Sequence, residues 1–189
     1  MKKITITQIA LAGVLAAAVF VASEFQIKLP VALGEFSRIH LGNAMCLLAG
    51  FLLGPALGGL AAGIGSAIYD ILDPMYITSA PFTFVFKFLM AFVCGLIAMN
   101  KSGAKLKLQG NARNIVAAIL GAITYMILYL GKGFIKGMIV QNLTVTAALA
   151  ATATKVPMST FNAVVGVIVS VLLAAALKPA LNKMNSISC

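Results

Sequence analysis

The chain has 189 residues, 61% of them hydrophobic and only 10% charged, with a mean hydropathy of +1.06. A soluble domain carries about 25% charged residues, so this composition excludes a soluble globular protein. Six spans of about 20 residues would use most of the length and leave no room for a separate catalytic domain. The formal net charge of +10 is the basic bias of cytoplasmic loops in a membrane protein rather than a nucleic-acid footprint. No nucleic-acid partner is expected.

In chain order, the first element is Ile4 to Ser23, 20 uncharged residues behind Lys2 and Lys3. This is long for the apolar region of a signal peptide and lacks a small-x-small cleavage site, so it is read as a retained span over about 5–23. A polar segment, EFQIKLPVALGEFSRIH, follows, with Pro30 and Gly34 breaking helix. Then 29 residues, Leu41 to Tyr69, carry no charge. That run is too long for one ordinary span and contains Gly54-Pro55. After Pro74 an apolar stretch holding a single charge, Lys87, predicts a helix over 80–100. A basic loop with Lys101, Lys105, Lys107 and Arg113 leads to helix 112–136. Residues 137–154 read as an outer extension and loop. A last helix covers 156–181, with Pro157 at its start.

Charge placement decides how the 29-residue run is folded. If it were one span, the loop from Lys101 to Arg113 would lie outside, against the positive-inside rule. If it breaks at Gly54-Pro55 into helices of about 40–53 and 55–72, that loop moves inside with Lys2, Lys3, Lys178 and Lys183. Eight basic and no acidic residues then face the cytoplasm, and all four acids, Glu24, Glu35, Asp70 and Asp73, lie outside. The expected architecture is all-α: an integral membrane protein forming a single domain, 1–189, of six transmembrane helices with both termini cytoplasmic. Its second helix is short, about 18 Å for twelve residues, so it must start earlier or sit behind its neighbours.

Candidate chemistry gathers at the outer ends of these helices. Lys87 is an intramembrane ionisable group, either a ligand contact or the structural partner of Asp70 or Asp73. Phe82, Phe84, Phe86 and Phe88 surround it on alternating faces, and Phe84 is taken as the ligand-side aromatic. Tyr125, Tyr129, Lys132 and Lys136 are spaced 4, 3, 4 and share one helical face. They suit a flat, polar, anionic ligand or, alternatively, anchor the helix at the headgroup level. Asn162 can hydrogen-bond a ligand or a neighbouring helix. His40 and Asn43 flank the mouth of the second helix as gate or ligand contacts. One histidine among carboxylates is a poor transition-metal site, and the scattered Cys46, Cys94 and Cys189 make neither a disulfide framework nor a thiolate site. No metal or cofactor is expected. Ala12/Ala16 and Gly13/Ala17 are small residues four apart, able to admit another helix closely, as are Gly59/Gly63, expected to pack internally.

No nucleotide-binding lysine loop, HExxH or G-x-S-x-G is present, so nothing points to a self-contained energy-coupling unit or a hydrolase. The alternatives are a stand-alone facilitator or a small membrane enzyme using Asp70 and Asp73. For the enzyme, the 116 residues from Pro74 onward contain no further acid.

The segments IHLGNAMCLLAGFLLGPALGGLAAGIGSAIYDIL and APFTFVFKFLMAFVCGLIA resemble the substrate-binding S components of energy-coupling factor (ECF) vitamin transporters, of the riboflavin-type or hydroxymethylpyrimidine-type branch. The resemblance spans Thr5 to about Leu181 and is strongest over Ile39 to Ala98. It implies a six-helix bundle that binds a vitamin at the outer face of a bacterial plasma membrane and catalyses nothing itself. It implies as partners a transmembrane coupling subunit, docked at a face holding Ala12 and Ala16, and two cytoplasmic ATPases joined to it; Gly13 and Ala17 are expected on the same face from their spacing. It implies a gating loop over Glu24 to Ile39, which holds Glu35 and Arg38, and a pocket where Lys87, Tyr125, Tyr129, Lys132 and Asn162 lie; His40, Asn43 and Phe84 are expected beside them from the reading of the residues. The chain begins Met-Lys-Lys where nickel and cobalt members begin with a metal-binding Met-His, which counts against metal transport. Aromatics and lysines favour a heteroaromatic ligand, with vitamin B6 or hydroxymethylpyrimidine expected first and riboflavin second.

Overall fold

The structure, a computed structural model, describes residues 4–30, 36–98 and 111–187. Helix α1 (Ile6–Glu24) opens with a capping box: Gln8 N–H donates to Thr5 Oγ at 3.3 Å and Thr5 N–H to Gln8 Oε1 at 3.0 Å. Both donors would otherwise be orphaned at the helix start. The segment read as an irregular loop is instead an antiparallel hairpin, β1 (Gln26–Pro30) and β2 (Phe36–His40), with Ile27 opposite Ile39 and Lys28 opposite Arg38. Glu35 and the rest of the connection lie outside the described residues.

The long uncharged run, Gly42–Leu72, is broken at Gly54, whose φ of 77° is comfortable only for glycine. Pro55 then starts a new helix where its missing N–H costs nothing. The two arms, α2 (42–53) and α3 (55–72), fold back on each other. Cys46 Sγ lies 3.7 Å from Ser66 Oγ, although a separation of 20 positions along a straight helix would place them about 30 Å apart. A Cβ on Gly58 would meet the Ala49 carbonyl oxygen at 2.5 Å, so the arms touch backbone to backbone. The break that the charges required is therefore present. The short arm α2 also needs no full bilayer crossing, because nearly every residue from 42 to 54 is buried among its neighbours.

A 3₁₀ turn (Ile77–Ser79) leads into α4 (Ala80–Ala98). Helix α5 (Asn111–Ile139) runs back. Residues expected to form a loop after it make a nine-residue helix, α6 (Val145–Ala153), which packs Ala148 against Gly137. Helix α7 (Val156–Ile187) carries Pro157 at its second position and Pro179 within it. Among the described residues five helices are long and apolar enough to cross a membrane, with Gly42–Leu72 counted as one. Splitting that run at Gly54 gives the six-helix bundle, to which α6 is an addition.

Glycines set how closely the helices approach. Cβ atoms on Gly50, Gly65 and Gly95 would lie 2.3–2.6 Å from backbone atoms of Ala91, Ala16 and Gly54. Gly59 and Gly63 seat Phe88 and Phe84, so this small-residue pair packs internally as expected. The stripe on α1 divides. Ala16 faces α3 at Gly65, and Ala12 packs on the core, whereas Gly13 and Ala17 face outward and nothing lies within 4 Å of a Cβ on Gly13. The start of α1 and the end of α7 lie at the end of the bundle remote from the hairpin.

Candidate functional site

A cavity of about 350 Å³ opens at the hairpin end. Its walls come from β2, the end of α3, the turn into α4, the hairpin-end half of α5 and the start of α7. One side is the stacked pair Tyr125 and Tyr129, ring centroids 6.0 Å apart and planes 17° from parallel. One turn on, Lys132 donates to Ser79 Oγ at 2.9 Å and lies over the Phe82 ring at 4.6 Å. Lys136 and Lys155 complete a basic rim. The 4, 3, 4 spacing on α5 thus brings all four predicted residues to one wall.

The opposite wall is the hairpin. Arg38 pairs with Asp70 at 2.5 Å, and its guanidinium lies 4.1 Å from the Tyr76 ring centroid and 5.3 Å from that of Tyr69. Burial disfavours the Arg38 charge, but the Asp70 carboxylate outweighs it and holds the pKa above the usual arginine value. A second, more exposed pair, Lys28 with Asp73 at 2.7 Å, ties β1 to the end of α3. Partial burial works against the Asp73 charge; hydrogen bonds from Lys28, Met75 N–H and Tyr69 overcome it and leave the carboxyl below its ordinary range. Burial raises the Tyr76 phenol, and the Arg38 charge opposes that rise.

Asn162 clamps β2 to α7. Its Oδ1 accepts from His40 N–H at 3.1 Å and its Nδ2 donates to the Arg38 carbonyl at 2.6 Å. Two backbone groups that a membrane bundle could not leave unpaired are satisfied by one side chain. His40 lines the cavity, and its Nδ1 accepts from Gly42 N–H at 3.1 Å, so Nδ1 carries no proton. Burial first, then the Lys87 and Arg38 charges, drive its pKa well below 6.5 and keep it neutral.

Lys87 and Asn43 sit beneath this cavity rather than in its wall. Lys87 is 1% exposed, donates to Asn43 Oδ1, and lies 3.8 Å from the centroid of Tyr125. The partner expected among the acids is not used, because Asp70 and Asp73 are taken by Arg38 and Lys28. Phe84 is also not at the cavity. It stacks on Phe88 and packs over Gly63, while Phe86, two residues on and on the other face, lines the cavity with Thr83. Met75, Tyr76, Thr78 and Ser79 were not expected there. They form the cap between α3 and α4, within the stretch after Pro74 that reads only as apolar in the sequence. Ser37, near Tyr129 at 3.5 Å, and Ser159 were likewise not expected. Among the described residues no cluster of histidine, cysteine or acid could hold a metal. Asp70 and Asp73, each held by a cation, do not form the open carboxylate pair that an enzyme reading required.

A family model described as the S component of an ECF-type riboflavin transporter matches residues 3–179. A solved S component of a bacterial ECF transporter superposes with a TM-score of 0.66 at 20% identity, over 93% of this chain and 97% of that one. An uncharacterized protein of Pyrococcus woesei is 26% identical over 107 residues, 57% of this chain and 70% of that protein. Members of the matched family are transport subunits and not enzymes. The chain belongs to the ECF-type riboflavin transporter S-component family and is the substrate-binding membrane subunit of an ECF vitamin transporter.

Proposed function

We propose that the chain captures riboflavin in the hairpin-end cavity, from the outer side of a bacterial plasma membrane. The observation that carries this reading is a cavity walled by stacked tyrosines, arginine and polar side chains. At about 350 Å³ it falls at the lower end of the range, roughly 300–1,000 Å³, that encloses drug-sized ligands. A single-ring vitamin would leave much of that space to water. The family name adds weight to riboflavin, reversing the order expected from residue types alone, in which vitamin B6 or hydroxymethylpyrimidine came first.

In this reading Tyr125, Tyr129, Lys132, His40 and Asn162 contact or frame the ligand, Lys87 and Asn43 support the Tyr125 ring from below, and Arg38 belongs to the gate with Glu35. The end remote from the hairpin, where Lys178 and Arg113 lie, faces the cytoplasm. A transmembrane coupling subunit with two ATPases docks there and along α1. The outward pair Gly13 and Ala17 supplies the docking surface, while Ala12 and Ala16 are committed to internal packing. Titration of the purified chain with riboflavin, pyridoxine and hydroxymethylpyrimidine tests the substrate. Riboflavin binding tightest supports the proposal, and preferential binding of either single-ring ligand overturns it. Uptake by cells lacking the ATPases would favour a stand-alone facilitator instead.

A further inference from the structure

The Arg38–Asp70 pair leaves hydrogen-bonding capacity unused. Arg38 Nη2 donates to Asp70 Oδ1 at 2.5 Å. The other carboxylate oxygen, Oδ2, and the other terminal nitrogen, Nη1, are both buried and have no hydrogen-bond partner among the described residues. Asp70 is 0% exposed, and both residues line the cavity. Buried polar atoms are nearly always paired, and an unpaired pair at a cavity wall calls for a missing partner. Here the two orphans are of opposite kind and belong to bonded neighbours: one accepts and one donates.

The surroundings hold them in place. The guanidinium lies close to the rings of both Tyr76 and Tyr69, and the Arg38 carbonyl accepts from Asn162 Nδ2. Among the described residues lining the cavity, Asp70 is also the only carboxylate. It is therefore the one carboxylate acceptor among them for a ligand N–H.

We propose that Arg38 and Asp70 together read one edge of the ligand, an N–H donor placed beside an acceptor, as in a lactam, an imide or an aminopyrimidine. Asp70 Oδ2 accepts from the ligand N–H, and Arg38 Nη1 donates to the adjacent oxygen or ring nitrogen. Because Arg38 belongs to the hairpin and Asp70 to α3, a ligand bound this way bridges the two and adds a link between the hairpin and the bundle. A hydroxypyridine such as pyridoxine has no such adjacent edge and is disfavoured. This inference rests on the vitamin-binding reading above and specifies which chemical feature the site selects.

The test compares riboflavin, which carries an imide N–H, with 3-methylriboflavin, in which that hydrogen is replaced. Both are titrated by flavin fluorescence against the full chain in mild detergent. The wild type is expected to bind riboflavin about 10- to 100-fold more tightly, the range of leaving one buried partner unsatisfied. In Asp70→Asn the carbonyl can still accept from Arg38, while the amide presents a donor to the ligand N–H. There riboflavin should weaken and the preference should fall to within about threefold. Equal wild-type affinity for the two flavins overturns the proposal and leaves the riboflavin site standing. A preference that persists in a folded Asp70→Asn protein overturns it as well. If that variant does not fold, the wild-type comparison decides alone. Silence toward both flavins overturns the riboflavin reading itself. The edge is then probed with hydroxymethylpyrimidine against its N,N-dimethylamino analogue, and equal or absent binding of both overturns the proposal too.

Discussion

The two halves of the bundle are held together by different means. Away from the hairpin the contacts are apolar and close: Gly95 on Gly54, Gly58 on Ala49, Gly50 on Ala91, with Cys94 and Met90 fully buried beside them. At the hairpin end the helices stand apart around a cavity, and the contacts are Arg38 with Asp70, Lys28 with Asp73, and Asn162 with the β2 backbone. Between lipid-facing helices no hydrophobic force drives association, so close backbone packing must supply the rigidity. The polar half can then keep an open cavity without the bundle losing its shape. A binding site of this kind depends on a scaffold whose stability does not come from the site itself.

Substitutions should separate the halves by size of effect. Gly95→Leu would drive a side chain into the Gly54 and Pro55 backbone, which a built Cβ already approaches at 2.5 and 2.6 Å. Overpacking costs about 1–3 kcal/mol where side chains can yield, and backbone cannot, so little monodisperse protein should survive size-exclusion chromatography. Gly13→Leu, in open space, should leave the elution profile unchanged. Equal behaviour of the two variants would remove the distinction between buried and outward small residues.

Next in size, Tyr125→Ala and Tyr129→Ala should each weaken ligand binding by roughly 10- to 100-fold, reflecting lost aromatic contact; Tyr125→Ala, which also uncovers Lys87, should lower the melting temperature of the empty protein more than Tyr129→Ala does. Asn162→Leu should act through the hairpin. Leaving the His40 N–H and the Arg38 carbonyl unpaired costs about 1–3 kcal/mol for each group. Faster hydrogen exchange confined to residues 36–40 would report it, and unchanged exchange there would contradict the clamp.

The smallest effect is on pH. His40 has its folded pKa depressed well below 6.5, so the unfolded chain binds the proton more readily. Its contribution to stability is complete above about pH 6.5 and is lost progressively as pH falls below that value. Thermal melts from pH 7.5 to 5 should show an acid-side decline that His40→Gln reduces. A decline on the alkaline side alone would have the sign wrong.

Several of these features were legible in the sequence, for physical reasons. Charge sidedness required a break at Gly54-Pro55, because no other folding placed the basic loop inside. The tyrosine and lysine stripe was legible because helical periodicity is local. The hairpin was not read as strands, although Gln26-Ile27-Lys28-Leu29 and Phe36-Ser37-Arg38-Ile39 alternate polar and apolar; Pro30 and Gly34 drew attention to the turn instead. Asn162 was singled out, but its partners lie more than 120 positions away, and nothing local reveals them. Phe84 and Phe86 are indistinguishable in composition, and only the rotation of α4 assigns one to Gly63 and the other to the cavity. The role of Asp70 depends on Arg38, 32 residues earlier, and the sequence offered Lys87 as an equally reasonable mate.

The most direct test of the account is native mass spectrometry of the chain purified in mild detergent from cells grown on rich medium, alongside a Tyr125→Ala, Tyr129→Ala double variant. The account predicts that the wild type retains one small heteroaromatic ligand with the mass of riboflavin and that the double variant elutes folded and empty. A ligand kept by the double variant would place binding away from the hairpin-end cavity. A wild type that is empty and stays empty when riboflavin is added would contradict the central claim.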